Sequence, residues 1–142
     1  MSWYYNSVIV ESLPEDCIGY VYCITNLTNN RKYIGKKLAK FAKTRTKTVT
    51  LKNGTKKKKK IREKVDSDWQ TYWSSSDALK KDIELLGHDK FTREILVYCN
   101  SKAECSYIEA KLQFENKVLE SDEWYNGHIS VRVHGSHIKG KI

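Results

Sequence analysis

Tyr22 and Tyr33 fall within the stretch 19–37, GYVYCITNLTNNRKYIGKK. Each lies in a run dense in Tyr, Val and Ile, residues that suit a pleated surface, and the polar segment Leu27-Thr28-Asn29-Asn30 separates the runs. The pattern predicts a β-hairpin, with 19–26 returning through 31–36. Alternate side chains of a strand share a face. Tyr20, Tyr22 and Ile24 therefore belong on one side, Val21, Cys23 and Thr25 on the other, and Tyr33 and Gly35 share a face of the returning strand. This register sets the hydroxyls of Tyr22 and Tyr33 near one another. A phenol so placed acts as a base only if a nearby cation favours its phenolate, because its ordinary pKa is ~10. Lys36 is a candidate for that cation. The plain alternative is a pair of core tyrosines with satisfied hydroxyls.

The charge pattern indicates what such a site would act on. The chain carries a formal net charge of +9. Residues 31–64 hold sixteen Lys or Arg against one acidic residue, Glu63, so this segment is +15 and the remainder −6. Such asymmetry points to a polyanion, nucleic acid first; a solvated basic loop is the competing reading. Lys56, Lys57, Lys58, Lys59 and Lys60 run consecutively and, with Lys37, are the candidate phosphate contacts. Binding through them would be strongly salt-dependent. Without a partner the lysine run would repel itself and stay mobile.

Cleaving a phosphodiester needs an activated water and stabilisation of the charge that develops on phosphate and leaving oxygen. A metal ion supplies the latter. Hard Mg²⁺ needs only one or two carboxylates beside water and phosphate oxygens, so one well-placed Glu suffices. Glu109 lies at the edge of the apolar face of a predicted helix, either on the surface beside the core or aimed into a cleft.

The elements that must position these residues follow from periodicity. Residues 1–18 carry Trp3, Tyr4, Tyr5, Val8, Ile9 and Val10, enough to pack on the domain as an added strand. Leu38, Phe41 and Ala42 have helical spacing, weakened by Thr44, Thr46, Thr48 and Thr50. Asn53-Gly54 reads as the tip of a small basic hairpin over 47–60. Asp66 or Ser67 can cap a short helix over 68–73. A serine of 74–76 can cap a helix over 77–86 that stops at Gly87. Residues 91–98 alternate as a strand. Ser101 and Glu104 form a capping box that opens a helix to about Leu119. That helix carries two apolar stripes, one through Ala103, Tyr107, Ala110, Phe114 and Val118, the other through Cys105, Ile108, Leu112 and Leu119. Residues 129–133 alternate as a short strand. His134 and His137 are too few for a zinc site. The four cysteines lack finger-like spacing and read as reduced structural thiols.

Val21-Tyr22-x-Ile-Thr-Asn followed by Tyr33-Ile34-Gly35-Lys36 resembles the paired signature of the GIY-YIG nuclease superfamily. The YIG half is complete; Tyr20-Val21-Tyr22 stands where Gly-Ile-Tyr is usual. The resemblance extends over about 19–127 and is nearest to phage-encoded members, including the catalytic domains of homing endonucleases. It implies a small α/β (α+β) domain with a central antiparallel sheet of about three strands flanked by helices. On it, residues 1–142 form one domain with a basic insertion at about 38–64 and an extension at about 127–142. It implies a DNA endonuclease using Mg²⁺ or Mn²⁺, with double-stranded DNA as partner. Glu109 matches the metal-binding Glu, Tyr22 and Tyr33 the signature tyrosines with Tyr22 first choice as base, Lys36 the Lys after YIG, and Asn126 the Asn that orients the site. The family's helical Arg matches Arg45 by distance from Gly35, or Arg62 if the insertion comes first; better helix propensity around 61–65 favours Arg62. The rival expectations are a non-catalytic nucleic-acid-binding module that keeps the fold and a ribosomal-type RNA-binding protein. With no leader-like start and no apolar run of membrane length, a cytoplasmic location is expected, in the bacterial host if the chain is phage-encoded.

Overall fold

The register of the signature hairpin sets the rest of the architecture. In the computed structural model, which describes residues 2–142 except for the side chains of Lys43 and Arg45, strand β3 (Gly19–Asn26) pairs antiparallel with β4 (Lys32–Leu38). Tyr22 lies opposite Gly35 and Ile24 opposite Tyr33, so these four share one face as the alternation predicts. Asn30 takes a left-handed φ of 60° in the turn. Asn26 braces that turn by accepting from the Thr28 backbone N–H and hydroxyl.

β3 also pairs with β7 (Phe91–Cys99), and β7 with β1 (Trp3–Tyr5), which folds back on β2 (Val8–Val10). The sheet order is β2-β1-β7-β3-β4, with β1 and β7 parallel and the other pairs antiparallel. The architecture is α+β, with a mixed sheet of five strands in place of the three expected. The difference arises at the N-terminus, where the aromatic segment contributes two short strands.

One face packs Trp3, Tyr20, Tyr22, Ile24, Phe91 and Ile95 beneath Leu79 and Ile83 of α1 (Asp77–Leu86). Ser76 caps α1 by accepting from the Leu79 N–H, and Gly87 ends it at φ 94°, both as expected. The other face packs Val21, Ile34, Cys99 and Val118 against Cys105 of α2 (Lys102–Glu115), with Ile108 and Leu112 alongside. Ser101 caps α2 by accepting from the Glu104 N–H. Neither predicted stripe is covered along its whole length: Ala110 and Val118 are buried but Tyr107 and Phe114 exposed in one, and Cys105 is buried but Leu119 exposed in the other. α2 also stops short of Leu119, because Lys117 turns the chain with φ 55°. All four cysteines are free thiols.

Residues 38–47 do not form a helix. Leu38 ends β4, and from Lys40 the chain enters β5 (Lys40–Thr50), which pairs antiparallel along its length with β6 (Lys56–Asp66) in a separate two-stranded sheet. Alternating β-branched threonines favour the strand over the helical spacing of Leu38, Phe41 and Ala42. The basic hairpin is thus longer than 47–60, and the lysine run is strand. Residues 68–73 form successive turns, Thr71 N–H to Asp68 O and Tyr72 N–H to Trp69 O, in place of a helix. They are anchored by Arg93, a β7 residue on the apolar face. Its guanidinium donates to Gln70 O and Tyr72 O and lies over the Trp3 and Trp73 rings. Burial lowers the Arg93 pKa to about 10. No strand forms over 129–133; among the described residues the tail adds a single bridge, Trp124 to Lys32.

Candidate active site

β4 is a sheet edge, and an unpaired edge leaves backbone donors and acceptors to be satisfied. Here side chains from α2 and the C-terminal segment do this. Asn126 accepts from the Ile34 N–H at 3.2 Å and donates to the Ile34 carbonyl at 2.8 Å, as a paired strand would. Gln113 Nε2 donates to the same carbonyl at 2.9 Å. The Lys36 backbone N–H lies where it favours the Glu109 carboxylate. Although α2 packs on the face opposite the phenols, these contacts bring Glu109 and Gln113 around the edge of β4 to the side of Tyr33.

The result is a cleft of about 400 Å³ lined by Tyr33, Ser75, Glu109, Gln113, Tyr125 and His128, among others. Burial pushes the Glu109 carboxyl up, opposed by the Lys36 ammonium and by His128. Lys36 Nζ donates to Ser106 Oγ at 2.6 Å. Lys36 therefore acts on the carboxylate, and it is not among the main influences on either phenol.

The two signature tyrosines are placed differently. Tyr33 is half-buried, lines the cleft and has its hydroxyl 3.4 Å from that of Ser75. Burial pushes its pKa up, helped by Glu109 and Tyr72. Tyr22 is fully buried, does not line the cleft, and shares a 3.3 Å contact with the Tyr72 hydroxyl. Burial and the neighbouring tyrosines push it well above its ordinary value. The two rings are 6.1 Å apart.

Asn126 is buried with both ends of its amide committed to Ile34, so it fixes the edge without reaching into the cleft. Tyr125 beside it accepts from Asn26 Nδ2, donates to Asp82 at 2.7 Å, and lies beneath the Arg31 guanidinium. Arg62 is exposed on β6, opposite Thr44 and away from the cleft lining. Its segment is strand, so the helical placement expected for it does not hold. Arg45 pairs with Ile61 in β5, and its side chain lies outside the described residues. Lys37 is largely covered, paired with Asp68 at 2.6 Å and set over the Tyr72 ring. The run Lys56–Lys60 is fully exposed on β6.

Sequence reasoning missed Gln113. It lies one turn beyond Glu109 on the same side of α2, and that i, i+4 pairing was the available signal. Its Oε1 is buried and has no partner, while Nε2 is held by Ile34 O.

The edge-capped hairpin, the flanking helices and the tyrosine–carboxylate cleft together define a GIY-YIG fold. Residues 3–129 match the family described as "Putative endonuclease segE, GIY-YIG domain", and the chain belongs to that family. The family is one of nucleases, which implies a nucleic-acid substrate. No curated protein and no solved structure matches the chain. Among the described residues, no helix is long and apolar enough to cross a membrane.

Proposed function

We propose that the chain is a metal-dependent DNA endonuclease that hydrolyses phosphodiester bonds in the cleft between β4 and α2. One observation carries this reading. Glu109, Gln113 and Tyr33 line a single polar cavity, and Gln113 Oε1 is buried beside it without a partner. Buried polar groups are normally satisfied, and an orphan calls for a missing partner. A carboxylate and an amide oxygen are the donor types hard divalent ions take, with water and phosphate oxygens completing the shell. The residues therefore fit Mg²⁺ or Mn²⁺, with Glu109 and Gln113 holding it.

The ion, when bound, stabilises charge on the phosphate and the leaving oxygen as a Lewis acid. The chain does the rest. Lys36 favours the ionised form of Glu109 against the desolvation of the cleft. The Gln113 and Asn126 amides lock β4 so that Tyr33 faces the cavity. Tyr33, held protonated by its surroundings, orients water or phosphate as a neutral hydroxyl in preference to serving as a phenolate. Tyr22 supports it from behind as a packing residue. Double-stranded DNA is the proposed substrate, since the basic hairpin gives an exposed surface far longer than the cleft.

The test is nicking of supercoiled plasmid with Mg²⁺ and with chelator, beside Glu109→Ala. Nicking that needs metal and disappears in the variant is expected. A second reading, a binding module without catalysis, draws on the lack of any arginine lining the cleft among the described residues. It predicts salt-sensitive DNA binding and no cleavage with any divalent ion.

A further inference from the structure

The β5–β6 register sorts the basic segment into two unlike faces. Residues paired across an antiparallel ladder share a face. Thr44, Thr46, Thr48 and Thr50 stand opposite Arg62, Lys60, Lys58 and Lys56, and Ala42 stands opposite Lys64. Every one of these positions is exposed. The face is a row of hydroxyls beside a row of five cations, with its one acidic residue, Asp66, at the base opposite Lys40. The register places Phe41, Lys43, Arg45, Lys47 and Val49 with Lys57, Lys59, Ile61, Glu63 and Val65 on the reverse face, where the basic residues are interspersed with apolar ones and an acid and no row of hydroxyls runs beside them. Ile61, Glu63 and Val65 are half-buried, and Lys37 lies over the Phe41 ring.

The Thr/Lys face also points along a route to the cleft. At its base Ala42 and Lys64 line a groove with Ser101 and Lys102 at the start of α2. From there Lys102, Ser106 and Glu109 follow at i, i+4 and i+7, one side of the helix, with Lys36 bound to Ser106. Glu109 is about 10 Å along the helix from Lys102 at ~1.5 Å per residue. Cations on one face of a strand recur every ~6.8 Å, comparable with the distance between successive phosphates of a nucleic-acid strand.

We infer that the Thr44–Thr50 and Lys56–Lys64 rows of this one face grip the phosphate backbone of DNA flanking the cut and lead it over the start of α2 to Glu109. The lysine run is thereby divided. Lys56, Lys58 and Lys60 contact phosphate, while Lys57 and Lys59 point away. The threonine hydroxyls donate to phosphate oxygens between the charges. Contacts of this kind position the duplex and carry no base sequence.

The inference rests on the DNA reading of the cleft for its direction, but its test needs no cleavage. Binding of a fluorescent DNA duplex to the full chain is measured in chelator across a range of salt. K56Q/K58Q/K60Q is compared with K47Q/K57Q/K59Q, which removes the same charge from the reverse face. The first variant is expected to flatten the slope of log K against log salt by about 2.7, at ~0.9 for each phosphate no longer neutralised. The second is expected to change the slope by less than about one unit. T44V/T46V/T48V is expected to weaken binding at every salt concentration with the slope unchanged, because a neutral donor releases no counterion. Equal slopes for the two lysine variants, or a larger loss from the reverse face, overturn the assignment, as does wild-type chain that does not bind. A face difference in a protein that never nicks DNA leaves this inference standing and removes the catalytic reading; nicking with no face difference does the reverse.

Discussion

The phenol end of Tyr22 occupies the space where any side chain at Gly35 would begin. A Cβ built on Gly35 would lie 2.6 Å from the Tyr22 hydroxyl, 2.8 Å from its Cζ and 2.7 Å from Tyr33 Cε1. The first tyrosine and the glycine of the second motif are thus one packing unit across β3 and β4, which gives a physical reason for the two half-motifs to occur together.

Gly35→Ala must therefore displace two tyrosines or bend the edge strand. Overpacking of this kind costs about 1–3 kcal/mol. The expected result is a lowered urea midpoint together with a loss of nicking larger than the stability change explains, because Tyr33 moves too. Wild-type stability and activity in the variant would show that the edge yields freely.

The same packing separates the roles of the two phenols. Tyr22→Phe removes a hydroxyl whose contact with Tyr72 is 3.3 Å long, so single-turnover nicking should stay within a few-fold of wild type. Tyr33→Phe removes the hydroxyl that faces the cleft. Loss of an orienting group there should lower the rate by about a hundredfold with the melting temperature little changed. A larger loss from Tyr22→Phe would return the base to the inner tyrosine.

What the sequence revealed and what it concealed divide on locality. The β3–β4 hairpin, its faces, the Ser76 and Ser101 caps and the Gly87 stop depend on neighbours within a few residues, and all were legible. Which tyrosine meets solvent depends on the turns at 69–73, tied down by Arg93 from another strand, and no local pattern encodes that. Leu38, Phe41 and Ala42 mimic a helix because their spacing suits one. Leu38 instead ends β4 opposite Gly19, and only pairing with β6, far along the chain, makes Phe41 and Ala42 strand. Helical spacing puts Glu109 at the edge of a buried face, as found. The reason it turns into the cleft is the exposed backbone of β4, which is visible only once the strand order is known.

Gln113 gives a prediction independent of turnover. Gln113→Leu removes the unpartnered Oε1 while Asn126 still donates to Ile34 O, so the edge stays capped. Mn²⁺ affinity measured by calorimetry should fall about tenfold, the lower end for groups that support a metal site. Gln113→Glu adds a second carboxylate and should tighten Mn²⁺ binding. Unchanged affinity in the Leu variant would confine Gln113 to holding the strand.

Tyr20 stands where the family signature places glycine, and it has become a core residue. Its ring meets Trp3 edge-on at 5.1 Å, so the departure from the motif is matched by the added N-terminal strand. Its hydroxyl is buried without a partner, and burial pushes its pKa far above the ordinary value. Below pH ~10 both folded and unfolded chains keep this proton. Above it the unfolded chain releases a proton that the folded chain retains, so stability is lost as pH rises from there toward the folded value. Tyr22, shifted in the same direction, adds to the loss. Tyr20→Phe removes both the orphan hydroxyl and its share of the alkaline sensitivity. The variant should gain about 1 kcal/mol at neutral pH and hold its urea midpoint better than wild type at pH roughly 10.5, above the ordinary tyrosine pKa. A variant less stable than wild type at both pH values would mean that the hydroxyl has a partner, and that the residue replacing the motif glycine is held by a hydrogen bond as well as by Trp3.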